Sequence, residues 1–203
     1  MKGSIILCGV GGMGILKASE IIAEVLLQSG FLVRQSEVHG MAQRGGSVVT
    51  HLRFGKEAYA PLLSKGEADF MLAFEEMETL RYLQYLKKGG IVLLNTIRIC
   101  PPGIEMKQYP QEIAKILQTH GFTVIPLNVT EISLQIGDIR TTNTVLLGGL
   151  SAIFPVNDLC IWKKAVEKIL AGKNLSQNLI AFEAGRRYVE SLPSPMESKF
   201  PWA

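Results

Sequence analysis

Short apolar runs that stop at glycine alternate along this chain with stretches whose apolar residues recur every three or four positions. Ser4-Ile5-Ile6-Leu7-Cys8 is a run of the first kind, ended by Gly9, as expected of a strand buried on both faces. Beyond a glycine-rich turn, Ile15, Ala18, Ile22, Val25 and Leu26 recur at helical spacing, with Lys17, Glu20 and Glu24 between them. Gly30 closes that helix, and residues 31–38 read as a second strand. Such a strand–helix–strand unit crosses over right-handed, with the helix covering the sheet.

Residues 47–54 follow a different rule. Val48, Leu52 and Phe54 alternate with Ser47, His51 and Arg53, which predicts a strand with one exposed side, near an edge or an interface. Buried strands are predicted over 68–74 and 91–95, with a helix over 75–87 between them. A helix over 111–120 and a strand over 122–127 follow. From Thr141 onward the pattern is helical, over 141–154, 158–170 and 175–192, with Ile161, Ala165 and Ile169 marking one core face. Residues 193–203 carry three prolines and read as an extended tail. The sequence thus predicts one α/β domain over 1–192 with a helical C-terminal part, and contains no repeat or linker.

Composition narrows the field. At 203 residues, 47% hydrophobic and 19% charged, the chain suits one substantial globular domain. A net charge of +3 without a dense Lys/Arg stripe argues against nucleic acid as a partner. Cys8, Cys100 and Cys160 are too far apart in sequence for a zinc or iron–sulfur spacing, and an odd count closes no disulfide framework. Residues 145–156 form the longest apolar run, too short to span a bilayer, and the first residues lack a signal-peptide core. The chain is therefore read as cytoplasmic, with no membrane partner.

Candidate chemistry lies in two loops. Gly9-x-Gly11-x-x-Gly14 follows a strand and opens a helix, the spacing and context of a dinucleotide fingerprint. On that reading, Glu37 would be the ribose-binding carboxylate and the chain an independent NAD(P)-dependent oxidoreductase. The same glycines also serve if they only let strand and helix pack closely. A phosphate-binding P-loop is disfavoured, because Ile15 and Leu16 stand where Lys and Ser or Thr are needed. The second loop is Ser36-Glu37-Val38-His39-Gly40-Met41-Ala42-Gln43-Arg44-Gly45-Gly46-Ser47-Val48. His39, Gln43 and Arg44 offer donors, and Gly40, Gly45 and Gly46 let backbone approach a ligand or partner. The Arg44 guanidinium suits a carboxylate or phosphate. Met41 is read as an interface or core filler. Glu37 and His39 would be the acid–base pair of a free-standing enzyme, but no nucleophile with a base and an orienting partner assembles from the sequence. A Rossmann-type ligand-binding module without catalysis is the remaining alternative.

Together the loops resemble the gamma-type domain of the 2-oxoacid:ferredoxin oxidoreductases, nearest in pattern to the indolepyruvate-type small subunits. That family carries a Gly-x-Gly-Gly-Gln-Gly turn and then a segment that Ser36 to Val48 matches throughout. A later family stretch looks like Thr142-Asn143-Thr144-Val145-Leu146-Leu147-Gly148-Gly149. Met13 departs from the family, which has glutamine there. The resemblance covers residues 3–190. It implies a Rossmann-like three-layer α/β/α domain with a mostly parallel sheet, and a subunit with no catalytic residue or redox centre of its own. Thiamine diphosphate and [4Fe–4S] clusters would lie in a large partner subunit, with coenzyme A as co-substrate and ferredoxin receiving electrons through the complex. Gly9, Gly11, Gly12 and Gly14 would sit beside the partner- or coenzyme-facing loop formed by Glu37, His39, Gly40, Met41, Gln43, Arg44, Gly45 and Gly46.

Overall fold

The computed structural model describes residues 1–39, 45–57, 60–101, 103–172 and 174–193. Among these, six strands form one sheet: β1 (Lys2–Val10), β2 (Leu32–His39), β3 (Ser47–Gly55), β4 (Ala68–Ala73), β5 (Leu86–Asn95) and β6 (Thr123–Leu127), in the order β2-β3-β1-β4-β5-β6. The pairings β1–β4, β4–β5 and β5–β6 are parallel, and β3 runs antiparallel to both its neighbours. Helices cover both faces, giving the three-layer arrangement. On one face α1 (Ile15–Gln28), α5 (Thr142–Ile153), α6 (Leu159–Ile169) and α7 (Leu175–Ser191) bury Ile5, Leu7, Phe54, Phe70 and Leu93. On the other, α2 (Glu76–Tyr82) and α3 (Ile113–Thr119) bury Ile6, Cys8, Met71, Val92 and Leu94. Adjacent strand residues thus point into opposite cores, which is why these strands read as unbroken apolar runs. None of the helices is long and apolar enough to cross a membrane, among the described residues.

The helical C-terminal part closes the first core. Trp162 is fully buried, with ring centroids 6.0 Å from Phe154 and 5.9 Å from Phe182, and its indole N–H donates to the Val156 carbonyl at 2.7 Å. Such aromatic pairs add about 0.5–1.5 kcal/mol each beyond the area they bury.

Two expectations need correction, and one helix is added. The strand over 47–54 lies next to the edge of the sheet, as expected, between β1 and the edge strand β2, whose Leu32 and Val38 are exposed. The polar face of β3 is covered rather than solvated. His51 Nδ1 accepts from Leu63 N at 3.2 Å, and Arg53 donates to the Ala60 and Leu62 carbonyls and to Glu67, at 3.0, 3.3 and 2.7 Å. These bonds lay the segment 60–67 across the strand, so the alternation marked a polar face covered by a surface segment. The helix over 75–87 is shorter than expected. α2 ends at Tyr82, a 3₁₀ turn (Leu83–Tyr85) follows, and Leu86 already pairs with Ala68 as the start of β5. A further helix, α4 (Val129–Ile136), went unassigned; Asn128 caps it by accepting from Glu131 N at 3.2 Å, and Gly137 ends it in the left-handed region. Residues 194–203, most of the expected tail, lie outside the described residues.

Candidate functional site

The carboxyl ends of the parallel strands and the start of β3 share one end of the sheet, and there the two candidate loops meet. The β1–β3 ladder runs to the pair Val10↔Ser47. Past it, Gly11 N donates to the Gly46 carbonyl at 2.8 Å and Gly45 N to the Gly11 carbonyl at 3.4 Å. Backbone alone therefore zips the glycine turn to the stem of the second loop. Residues 40–44, including Gly40, Met41, Gln43 and Arg44, lie outside the described residues. His39 is placed by its backbone as the last residue of β2, opposite Val48.

The glycines of the turn have separate reasons. A Cβ on Gly9 would stand 2.6 Å from Phe74 Cβ, and one on Gly14 would stand 2.6 Å from Asn143 Nδ2. Both positions are closed by packing. Gly12 has φ +102° with open space around it, so only its backbone conformation demands glycine. Gly14 also takes the left-handed conformation as N-cap of α1; no side chain caps that helix and its first turn has no acidic residue. Met13 lies partly buried against the core, its backbone N–H donating to the Val10 carbonyl at 3.2 Å.

Sheet order argues against the dinucleotide reading. In that fold the ribose-binding carboxylate ends the strand next to the first one. Here Glu37, on β2, pairs with Thr50 of β3, and β3 separates it from β1. Strands are spaced about 4.8 Å apart, so Glu37 stands roughly one strand further from the glycine turn than the fingerprint requires. The turn has the spacing of a nucleotide site without its neighbour.

Sequence reasoning missed an acidic network beneath the loops. Glu75, Glu76 and Glu78 are all buried at the junction of β4 and α2. Glu75 accepts from Tyr109 Oη at 2.5 Å, from Ile99 N at 2.9 Å and from Glu78 N at 3.0 Å. Glu76 accepts from Arg98 Nε at 2.7 Å. Glu78 accepts from Ser47 Oγ and, at 3.1 Å, from Arg81 Nε. Burial, then the Glu75 hydrogen bond and charge, pushes the Tyr109 phenol far above its ordinary range. Burial first, and then the charges of Glu78 and Glu75, raises the Cys8 thiol well above 9.0. Cys8 is therefore held as a neutral thiol, the opposite of an activated nucleophile. The signal available was three glutamates within four positions directly after a buried strand.

The other described histidines and Arg53 have structural roles. His51 and Arg53 staple the 60–67 segment, and His120 ends α3 with Nδ1 2.8 Å from the Ile116 carbonyl. Among the described residues, no group of three or more His, Cys, Asp or Glu is placed to hold a metal ion.

Residues 4–188 match the family model described as pyruvate ferredoxin/flavodoxin oxidoreductase. The chain belongs to this family. Over 189 residues it is 39% identical to the indolepyruvate oxidoreductase subunit IorB of Thermococcus kodakarensis, covering 90% of this chain and 93% of that one. Against the protein of the same name from Archaeoglobus fulgidus it is 39% identical over 193 residues, covering 91% and 94%. Among solved structures, the gamma subunit of a keto/oxoacid ferredoxin oxidoreductase from Geobacter sulfurreducens superposes with a TM-score of 0.70 at 21% identity, over 94% of this chain and 99% of that one. A 2-oxoglutarate:ferredoxin oxidoreductase from Magnetococcus marinus, solved with 2-oxoglutarate, coenzyme A and succinyl-CoA bound, matches with a TM-score of 0.75 at 22% identity, over 95% of this chain and 32% of that one. At such identities the solved structures establish the fold. Family membership agrees with the gamma-type resemblance read from the two loops, and the α/β fold with its mostly parallel sheet agrees with what that resemblance implied.

Proposed function

We propose that this chain is the non-thiamine subunit of an arylpyruvate-type 2-oxoacid ferredoxin oxidoreductase, acting on indolepyruvate or a close aromatic relative. The observation that carries the choice of substrate is a gap in identity. Four relatives named as indolepyruvate oxidoreductase subunits are 36–39% identical over about nine-tenths of both chains, whereas pyruvate or ketoisovalerate subunits stand at 22–26%. The companion subunit holds thiamine diphosphate and [4Fe–4S] clusters, which supply the decarboxylation and the one-electron steps to ferredoxin, while coenzyme A accepts the acyl group. This chain contributes shaped surface. The glycine turn from Gly9 to Gly14, zipped to Gly45 and Gly46, forms the rigid part of that surface, and Glu37, His39, Gln43 and Arg44 provide its polar contacts to the companion or to coenzyme A.

Reconstitution tests the proposal. The chain is co-expressed with its thiamine- and cluster-bearing companion, and 2-oxoacid- and coenzyme A-dependent reduction of a low-potential acceptor is followed. Indolepyruvate should be turned over with higher kcat/KM than pyruvate, and the chain alone should be inactive. Arg44→Ala should cut turnover of the assembly while leaving the fold of this chain intact. Preference for pyruvate would overturn the substrate assignment, and oxidation of any 2-oxoacid by the isolated chain would overturn the whole reading.

A further inference from the structure

We infer that Tyr82, Ser47 and Glu78 form a hydrogen-bond relay that positions the paired-loop surface, acting on it through Ser47; the inference deepens the proposed subunit role and rests on it. Ser47 is the first residue of β3, directly after the two glycines that bond to Gly11. Its Oγ reaches Glu78 Oε2 within hydrogen-bond distance and lies 2.9 Å from Tyr82 Oη. Proton counting fixes the direction. The Ser47 hydroxyl donates to Glu78 Oε2, and a serine hydroxyl carries one proton. Ser47 must therefore accept from Tyr82, so the relay runs Tyr82 to Ser47 to Glu78.

Glu78 is itself held on every side. Its side chain is 7% exposed, its second oxygen accepts from Arg81, and its backbone N–H donates to Glu75. Glu75 in turn accepts from Ile99 N and Tyr109 Oη. A continuous set of hydrogen bonds thus links the loop stem to α2 and to residues 99–109. Networks with all their acceptors engaged have one arrangement and transmit displacement rather than absorb it.

Holding β3 in the sheet does not require this relay. The strand is already paired along nine positions with β1 and eight with β2. Ladder pairing stops at Ser47, however, and beyond it, among the described residues, two glycine bonds fix the turn to the stem, one of them long at 3.4 Å. The relay acts where the ladder gives out. A buried carboxylate costs several kcal/mol of desolvation unless its bonds compensate, so its placement at this boundary points to positioning rather than to bulk stability.

The variants Ser47→Ala, Ser47→Thr and Tyr82→Phe test the relay by two independent readouts. In the free chain, amide hydrogen exchange at Gly11 and Gly45 should speed up about tenfold in Ser47→Ala, the effect of losing one charge-assisted hydrogen bond. Exchange at Ile5 to Leu7 should be unchanged, and threonine, which keeps the hydroxyl, should restore protection. Tyr82→Phe should fall between. In the assembled enzyme, Ser47→Ala should lower companion affinity, measured by calorimetry, or kcat/KM by a similar factor, again rescued by threonine. Unchanged exchange at Gly11 and Gly45 would overturn the relay. Faster exchange with unaltered companion affinity and turnover would overturn its positioning role. A wild-type assembly that forms but oxidises no 2-oxoacid would sink the proposed function instead, and companion affinity would still judge the relay.

Discussion

Replacing Gly148 by alanine sets two well-measured effects against each other. Gly148 sits inside α5, where alanine is favoured over glycine by roughly 0.8–1.0 kcal/mol of helix propensity. Propensity alone therefore predicts a more stable protein. The crossing with α7 predicts the reverse. A Cβ at Gly148 would lie 1.9 Å from the Phe182 carbonyl oxygen, and one at Gly185 would lie 1.9 Å from the Val145 carbonyl oxygen. The two helices touch backbone to backbone at reciprocal glycines, and no side chain there can swing aside. Reaching the 3.0 Å that real Cβ contacts respect means parting the helices by about 1.1 Å. A gap of 0.5–1 Å already forfeits a quarter to a half of each dispersion contact along the interface. Overpacking of this kind costs about 1–3 kcal/mol where flexible side chains can give, and more where only backbone is available. After the propensity gain, Gly148→Ala should destabilise by about 2–4 kcal/mol, a large part of the roughly 5–15 kcal/mol that holds a domain folded.

Gly149→Ala is the control. The three atoms nearest its Cβ would be methyl ends of Val189, Leu127 and Leu93, at 3.1 to 3.2 Å, which can yield by a few tenths of an ångström. It should be neutral or stabilising by up to about 1 kcal/mol. Urea unfolding of both variants, followed by circular dichroism, gives the comparison. A Gly148→Ala protein as stable as wild type, or a Gly149→Ala protein hit harder, would refute the close-crossing argument.

Two further outcomes follow from the titratable groups. Native alkylation with iodoacetamide should modify exposed Cys160 first and leave Cys8 untouched until urea is added, because Cys8 is fully buried and its thiol is held neutral; early loss of the free Cys8 mass would contradict this. His51 has its pKa lowered from 6.5 by burial, so the unfolded chain takes up a proton more readily than the folded one. Its contribution to stability is complete above about pH 6.5 and is lost as pH falls towards the folded pKa, so His51→Gln should flatten the decline in urea midpoint over that range.

The strands and most helices were legible because each face of this sheet is covered, which turns a strand into an apolar run and a covering helix into a 3.6-residue rhythm. The misses among polar residues had a common cause. His51, Arg53, Glu75 and Glu78 are polar residues that the fold buries against each other and against backbone. A sequence shows polarity, whereas burial of a polar group depends on partners brought together by the fold: Leu63 for His51, Ala60 and Glu67 for Arg53, Tyr109 and Ile99 for Glu75. For the same reason β3 was taken for a strand with one exposed side. The site loops were readable as motifs, and family membership agrees with the resemblance they carried. Their contact through Gly11, Gly45 and Gly46 depends on β3 being antiparallel beside β1, which residue alternation cannot specify.

The glycine fingerprint shows how one spacing serves two purposes. In a dinucleotide site its last glycine makes room for close strand–helix packing, its middle one admits a pyrophosphate and its first makes the tight turn. Here Gly9 and Gly14 do the first job, against Phe74 and Asn143, and Asn143 belongs to the later motif that also supplies Gly148 to the α5–α7 crossing. The middle of the turn is used differently: Gly11 exchanges backbone hydrogen bonds with the stem of the second loop. Inserting β3 between β1 and β2 both removes the ribose-binding position and delivers that stem. The strand order that leaves no ribose-binding carboxylate beside β1 therefore lets the same glycines pair, backbone to backbone, with the stem of the second loop.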